Sequence, residues 1–254
     1  MKKTYNTLVL NGLSRVRKSE AILQESDLEK LPDVVAKYIR FTGAVGRPLT
    51  SHFFVKTNGK IRGNPQDPWM ELISEQYNFM DRYERFFYIK AIKSGIPAFG
   101  LHSYKGGEAT MKIKLLGLFT LVNAKGPEMN QSETVTLLND MCLLAPGTLI
   151  NPDIQWEIID NLSVIARFNG PSRVSAKLLF HEDGRLIDFM SEERYESVGG
   201  KSFRLLPWRT PVSEYGIFDG MRLPKKAEAI YKRPEGDFSY IKLTVDEIIN
   251  NPLL

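Results

Sequence analysis

Closely spaced chain reversals constrain this sequence more than any other feature. Seven tight-turn dipeptides punctuate it: Asn58-Gly59, Gly106-Gly107, Asp160-Asn161, Asn169-Gly170, Asp183-Gly184, Gly199-Gly200 and Asp219-Gly220. A two-residue loop that reverses a strand needs positive φ at one or both central positions, which Gly, Asn and Asp reach at little cost. Most of these pairs are flanked by short runs rich in β-branched and aromatic residues. The chain therefore reads as one long antiparallel meander. No single motif in it carries a chemistry of its own.

Strands are expected from about residue 50. Residues 51–56 and 60–63 read as a hairpin around Asn58-Gly59, followed by longer strands at 69–79 and 84–93. Residues 100–105 and 108–116 flank Gly106-Gly107. The second arm alternates cleanly, with Ala109, Met111, Ile113 and Leu115 on one side and Glu108, Thr110, Lys112 and Lys114 on the other. Such alternation marks a sheet with one dry and one wet face. The strand around Phe86-Phe87-Tyr88-Ile89 has large apolar groups on both faces, so something must cover each side. The meander resumes at 154–159, 162–168, 173–180, 185–196, 201–206, 212–217, 226–233 and 238–247.

Three helices are expected. Leu31-Pro32 opens one, with Val34, Val35, Tyr38 and Ile39 on its apolar face and Gly43 as its stop. A weaker one is expected upstream, between about Ser14 and Glu25. A third helix, about Ser132 to Leu144, interrupts the strands. Its Val135, Leu137, Leu138, Met141, Cys142, Leu143 and Leu144 occupy more than one side, wider than a surface stripe, so it should be surrounded. Ala145-Pro146-Gly147 ends it. No linker separates two domains. The expected organisation is a single domain, 1–254, with an N-terminal helical segment (1–43), first strands (50–125), the helix at 132–144 and second strands (154–248).

At 254 residues the chain needs neither disulfide nor metal to fold. Cys142 is its only cysteine, so no internal disulfide can form. The net charge of +4 is local: Lys2, Lys3, Arg15, Arg17 and Lys18 precede any acid. Setting these five aside from the 34 basic residues leaves 29 against 30 acidic ones, a net of −1. A nearly neutral body argues against nucleic acid as a partner. Leu8, Val9, Leu13 and Val16 with the nearby basic residues allow at most a peripheral membrane contact through residues 1–18; a frayed terminus, or a helix docked on the body, is favoured. Leu8-Val9-Leu10 is too short an apolar run for an export signal. A cytoplasmic location is therefore expected, or a periplasmic one if a precursor signal was removed.

Candidate catalytic groups are sparse. His52, His102 and His181 have no neighbouring His or Cys at metal-ligand spacing, so no metal and no cofactor are expected. Cys142 lies among apolar residues with no cation to lower its pKa, the setting of a core side chain. No Gly-x-Ser-x-Gly elbow or phosphate-binding Gly loop occurs. Glu192-Glu193 and Asp246-Glu247 are adjacent in strands and so face opposite sides. Trp69, Trp156 and Trp208 are spread through the meander with many Tyr, Phe and Met residues, a composition that suits either a plain core or a pocket for an apolar ligand.

Several blocks resemble a bacterial family of unknown function. They are Leu31-Pro32 with Tyr38-Ile39-Arg40-Phe41-Thr42-Gly43; Pro68-Trp69-Met70 with Gln76-Tyr77; Leu115-Leu116-Gly117-Leu118 with Gly126; and Pro207-Trp208, Tyr215, Asp219-Gly220 and Pro224. The likeness runs from about residue 31 to 250 and implies no activity. More distantly, Tyr215, Gly220 with Pro224, and Ile248-Ile249-Asn250 resemble the last strands of LolA- and RseB-type lipoprotein carriers. That resemblance implies a half-barrel of antiparallel strands with a helix on the concave side, holding acyl chains.

The resulting expectation is an α+β fold: a large curved antiparallel sheet, an N-terminal helical segment and a helix on the concave face. The leading functional expectation is non-catalytic binding of an apolar or lipid-like ligand between sheet and helix, with Trp69, Tyr77, Trp208 and Tyr215 lining or guarding the hollow. One alternative is a hydrolase-like enzyme that pairs His52 or His102 with a carboxylate. Another is a structural module that binds a protein partner along exposed strand edges.

Overall fold

Six of the seven dipeptides lie where strands reverse. The computed structural model describes residues 1–17, 21–93 and 95–252. Its strands are β1 (His52–Ile61), β2 (Met70–Phe79), β3 (Glu84–Lys93), β4 (Ile96–Lys105), β5 (Glu108–Leu115) and β6 (Phe119–Lys125), then β7 (Ile154–Asp160), β8 (Ser163–Asn169), β9 (Arg173–Phe180), β10 (Leu186–Val198), β11 (Ser202–Arg209), β12 (Val212–Phe218), β13 (Met221–Arg233) and β14 (Gly236–Asn250). The helices are α1 (Lys2–Leu13), α2 (Asp33–Thr42) and α3 (Pro127–Leu144), with short 3-10 turns at Glu25–Leu28 and Pro146–Ile150.

All strand pairings are antiparallel. The sheet runs β6-β5-β4-β3-β2-β1-β14-β13-β11-β10-β9-β8-β7, with β12 paired to β13 beside this path. The chain thus builds one meander, crosses through α3, builds a second, and returns along β14 to join β1. The sheet stays open: β6 and β7 are its two edges. Its curvature shows in what surrounds α3, which packs against β5 and β6 from one half and β9, β10 and β13 from the other. Nearly every residue from Ser132 to Leu143 is buried, as the broad apolar surface of that segment implies. The observed fold is the expected α+β half-barrel.

The two-sided strand is explained by what lies on each side of β3. Phe86 and Tyr88 face outward under α1, where Tyr5, Val9, Tyr77 and Phe79 complete a second apolar cluster. Arg85, Phe87 and Ile89 face inward to the hollow. Gly12 permits the close contact of α1 with the sheet: a Cβ there would lie 2.3 Å from the Phe79 ring.

Some expectations need correction. Asn58-Gly59 is not a turn: both residues lie within the continuous β1. Gly59 is used for close approach, since a Cβ would fall 2.0 Å from the carbonyl oxygen of Lys242 on β14. The reversal comes later, between Ile61 and Met70. The upstream helix occupies residues 2–13 rather than 14–25, because Tyr5, Val9 and Gly12 supply the docking face. Helix α1 ends at Leu13, Val16 packs against the same apolar cluster, Ile22 bridges to Pro48, and residues 25–28 form a 3-10 turn. Residues 18–20, which fall within the expected helix, lie outside the described residues. Strand β6 was hidden from sequence reasoning. A turn through Leu116 and Gly117, both at positive φ, leads into it, and its exposed Phe119 and Leu121 break the simple alternation.

Candidate functional site

A hollow of about 460 Å³ lies between α3 and the inner face of the curved sheet. Alternation within each strand builds its wall. Val55 and Ile61 come from β1, Phe87 and Ile89 from β3, and Met111 and Ile113 from β5. The helix contributes one face at spacings of three and four: Met129, Ser132, Glu133, Thr136, Asp140 and Leu143. The opposite face of α3, with Val135, Leu138 and Cys142, packs into the core. Exposed Gly63 and Gly199 belong to the lining, so the hollow reaches the molecular surface.

One patch of this wall is strongly polar. Arg85 on β3 projects beneath α3, where its Nε donates to Asp140 Oδ2 at 2.7 Å, Nη1 to Glu133 Oε2 at 3.2 Å and Nη2 to Gln76 Oε1 at 2.8 Å. Gln76 and Asn78 on β2 also donate to Asp140 Oδ2, at 2.8 and 3.0 Å. His102 Nδ1 lies 3.4 Å from Glu133 Oε1. Burial alone would raise the Glu133 carboxyl, but the His102 hydrogen bond and the charge of Arg85 outweigh it and bring its pKa down to about 2. For Asp140 burial prevails over Arg85, and its pKa rises. An ion pair this buried holds two elements in register because every member is hydrogen-bonded. Here it locks α3 to β2 and β3.

A second cation stands apart from that network. Arg194 on β10 lines the hollow beyond a β-bulge between Ser191 and Arg194. Its guanidinium lies over the Trp208 ring, 4.6 Å from the centroid, and over the Tyr231 ring at 5.4 Å.

The expected site residues divide between the hollow and other places. Trp208 lines the hollow. Trp69 lies close to its rim, under Arg62, whose guanidinium is 4.4 Å from the indole centroid and which does line it. Tyr77 faces outward beneath α1. Tyr215 packs edge-on against Phe41 and donates to the carbonyl of Leu186 at 2.7 Å, joining α2 to the second meander. The histidines do not converge. His52 stacks on Tyr77 and Phe79 under α1, whereas His102 lies inside; His181 is at an exposed hairpin with Asp183. Cys142 is fully buried and burial pushes its thiol up. Among the described residues no cluster of His, Cys, Asp and Glu could hold a metal ion. No helix among them is long and apolar enough to cross a membrane.

Sequence reasoning missed Arg85, Glu133, Asp140 and Arg194. The available signal was polar residues at 132, 133, 136, 139 and 140, all on an apolar helix read as surrounded. Polar groups on such a helix must find buried partners.

The model of a family described as "Family of unknown function (DUF6544)" matches residues 21–243. The chain belongs to this family. Among solved structures, a DUF1329 family protein from Desulfovibrio piger superposes with a TM-score of 0.50 at 10% identity, over 87% of this chain and 93% of that one. A LolA superfamily protein from Nitrosomonas europaea gives 0.46 at 13% identity, over 92% and 96%. These likenesses concern the fold. No curated protein matches the sequence. The first of the blocks that carry the resemblance falls on a structural joint: Tyr38 of α2 donates to the carbonyl of Cys142 at 2.7 Å, and Gly43 caps α2 at φ 72°.

Proposed function

We propose that this DUF6544 protein binds a lipid-like molecule, holding its apolar chain between α3 and the concave face of the sheet. The hollow itself carries the reading. Protein interiors pack as densely as organic crystals, so a void of about 460 Å³ is far from ordinary packing. It falls within the roughly 300–1,000 Å³ typical of small-molecule sites, and such sites are lined mainly by apolar and aromatic groups. Val55, Phe87, Ile89, Met111, Ile113 and Trp208 supply that surface, and the methionines let it adapt.

A buried chain gains about 0.8 kcal/mol per methylene, or roughly fourfold in affinity. Affinity for single-chain probes should therefore climb with chain length until the hollow is full and then level off. Native mass spectrometry of protein purified from cells, followed by solvent extraction, checks the reading directly. The expected result is a co-purifying amphiphile released on denaturation. Ligand-free protein whose affinity for added chains does not change with their length would overturn it.

One observation favours a catalytic variant. His102 is oriented by Glu133 inside the hollow, and among the described residues its Nε2 has no hydrogen-bond partner, the arrangement of a general base for water. The same extraction separates the two readings. Intact lipid marks a carrier, and cleaved lipid with its product marks a hydrolase.

A further inference from the structure

Arg194 is charged, half-buried and under-used. A guanidinium has five N–H donors in a planar fork. Two are spent: Nε donates to Thr136 Oγ1 at 3.3 Å, and Nη1 donates to the Tyr231 hydroxyl. That hydroxyl passes its own proton to the carbonyl of Tyr195 at 3.0 Å, so it acts toward Arg194 purely as an acceptor. Three N–H groups are left without a partner among the described residues. No carboxylate there lies within ion-pair distance of Arg194 either, although the charge of Arg194 contributes to lowering the Glu133 pKa.

The other arginines that line or border the hollow behave differently. Arg85 is saturated by Glu133, Asp140 and Gln76. Arg204 and Arg233 both donate to Glu196, leaving that trio one positive charge in excess. Arg62 stacks between Trp69 and Phe238 and donates to the carbonyls of Ser239 and Pro65. Of the charged residues on β10 and β13 that line the hollow, Lys225 pairs with Glu214, Glu196 with Arg204 and Arg233, and Glu228 with Lys242, so among the described residues Arg194 is the one left without an ion-pair partner.

Withdrawing a cation from water without pairing it costs stability, and such departures from ordinary folding rules collect at functional sites. The guanidinium carbon lies over the Trp208 and Tyr231 rings, and its three unspent N–H donors suit a planar or tetrahedral oxyanion. The bulge in β10 is what aims Arg194 into the hollow rather than along the strand.

The geometry points to an amphiphile with an anionic head, a carboxylate or a phosphate, bound by the spare donors of Arg194 while its chain lies along Phe87, Ile89 and Ile113. This assignment rests on the binding function proposed above and specifies its ligand class. A fatty acid or a phospholipid would each supply the head.

The test uses the full chain and four twelve-carbon probes below their micelle concentrations: dodecanoate, dodecyl phosphate, dodecanol and dodecyltrimethylammonium. At pH 8 one or both anions should bind about tenfold or more tighter than the alcohol, the effect expected of a charge-assisted hydrogen bond out of bulk water. The cation should bind weakest. Arg194→Leu should remove the preference for anions while leaving dodecanol affinity within a few-fold, and Arg194→Lys should keep part of it. Tighter carboxylate binding identifies a fatty-acid head, and tighter phosphate binding a phospholipid head. Equal affinity of the wild-type protein for alcohol and anions overturns the head-group assignment but leaves chain binding standing. Failure of every probe to bind overturns both.

Discussion

At the residue scale, the most consequential side chains are the buried ions beneath α3. Glu133 was invisible as a functional residue in the sequence, since a lone acid in a helix reads as solvated. Only the register of β3 reveals that Arg85 lies beneath it. His102 was legible as a candidate base, but nothing in the sequence linked it to Glu133, thirty-one positions away. The pH dependence follows from the sign of the shift. Glu133 has a folded pKa of about 2 against an ordinary 4.5. The stability it contributes is complete above pH 4.5 and is lost as pH falls toward 2. His52 acts in the same sense at higher pH: burial lowers its pKa from 6.5, so the native state resists its protonation. Asp140 works in the opposite sense, because its folded pKa lies above 3.8. Thermal unfolding of the Glu133→Gln variant across pH 2–7 should therefore show lower stability at neutral pH but a flatter decline between pH 4.5 and 2. An unchanged slope there would mean that Glu133 is not held ionised by Arg85 and His102.

At the element scale, apolar periodicity made some segments easy to read and local context obscured others. The helix at 132–144 was legible because apolar residues on several sides demand a surround. Its true start at Pro127 was not, because the first turn carries Glu128, Asn130 and Gln131. Asn58-Gly59 has the composition of a hairpin turn, and only the neighbouring strand shows why glycine is there. β14 passes so close to β1 that no Cβ fits at residue 59. This junction joins the two meanders into one sheet, so overpacking it is costly. Gly59→Ala should destabilise the protein by on the order of 1–3 kcal/mol. Asn58→Ala, one residue away, gives up only an exposed hydrogen bond to Asp246 on β14 and should cost about 0.5–1 kcal/mol. Urea denaturation of both variants checks the contrast; equal effects would show that β1 and β14 can separate freely at this point.

At the scale of the whole molecule, six correctly placed reversals were enough to establish an antiparallel meander, and the broad helix placed α3 within its curve. The hollow was inferred from composition, yet its lining could not be listed. Of four aromatic residues expected there, Trp208 lines the hollow, Trp69 stands by its rim, and Tyr77 and Tyr215 pack elsewhere. Strand parity decides this, and a one-residue error in register moves a side chain to the other face. The central claim is that an apolar chain lies between α3 and the sheet. The most direct measurement is quenching of Trp208 fluorescence by a brominated alkyl chain in a variant carrying Trp69→Phe and Trp156→Phe. Saturable quenching of Trp208, with little quenching when Trp156 on β7 is the sole tryptophan, is the predicted result. A probe that binds yet leaves Trp208 emission unchanged would contradict the account.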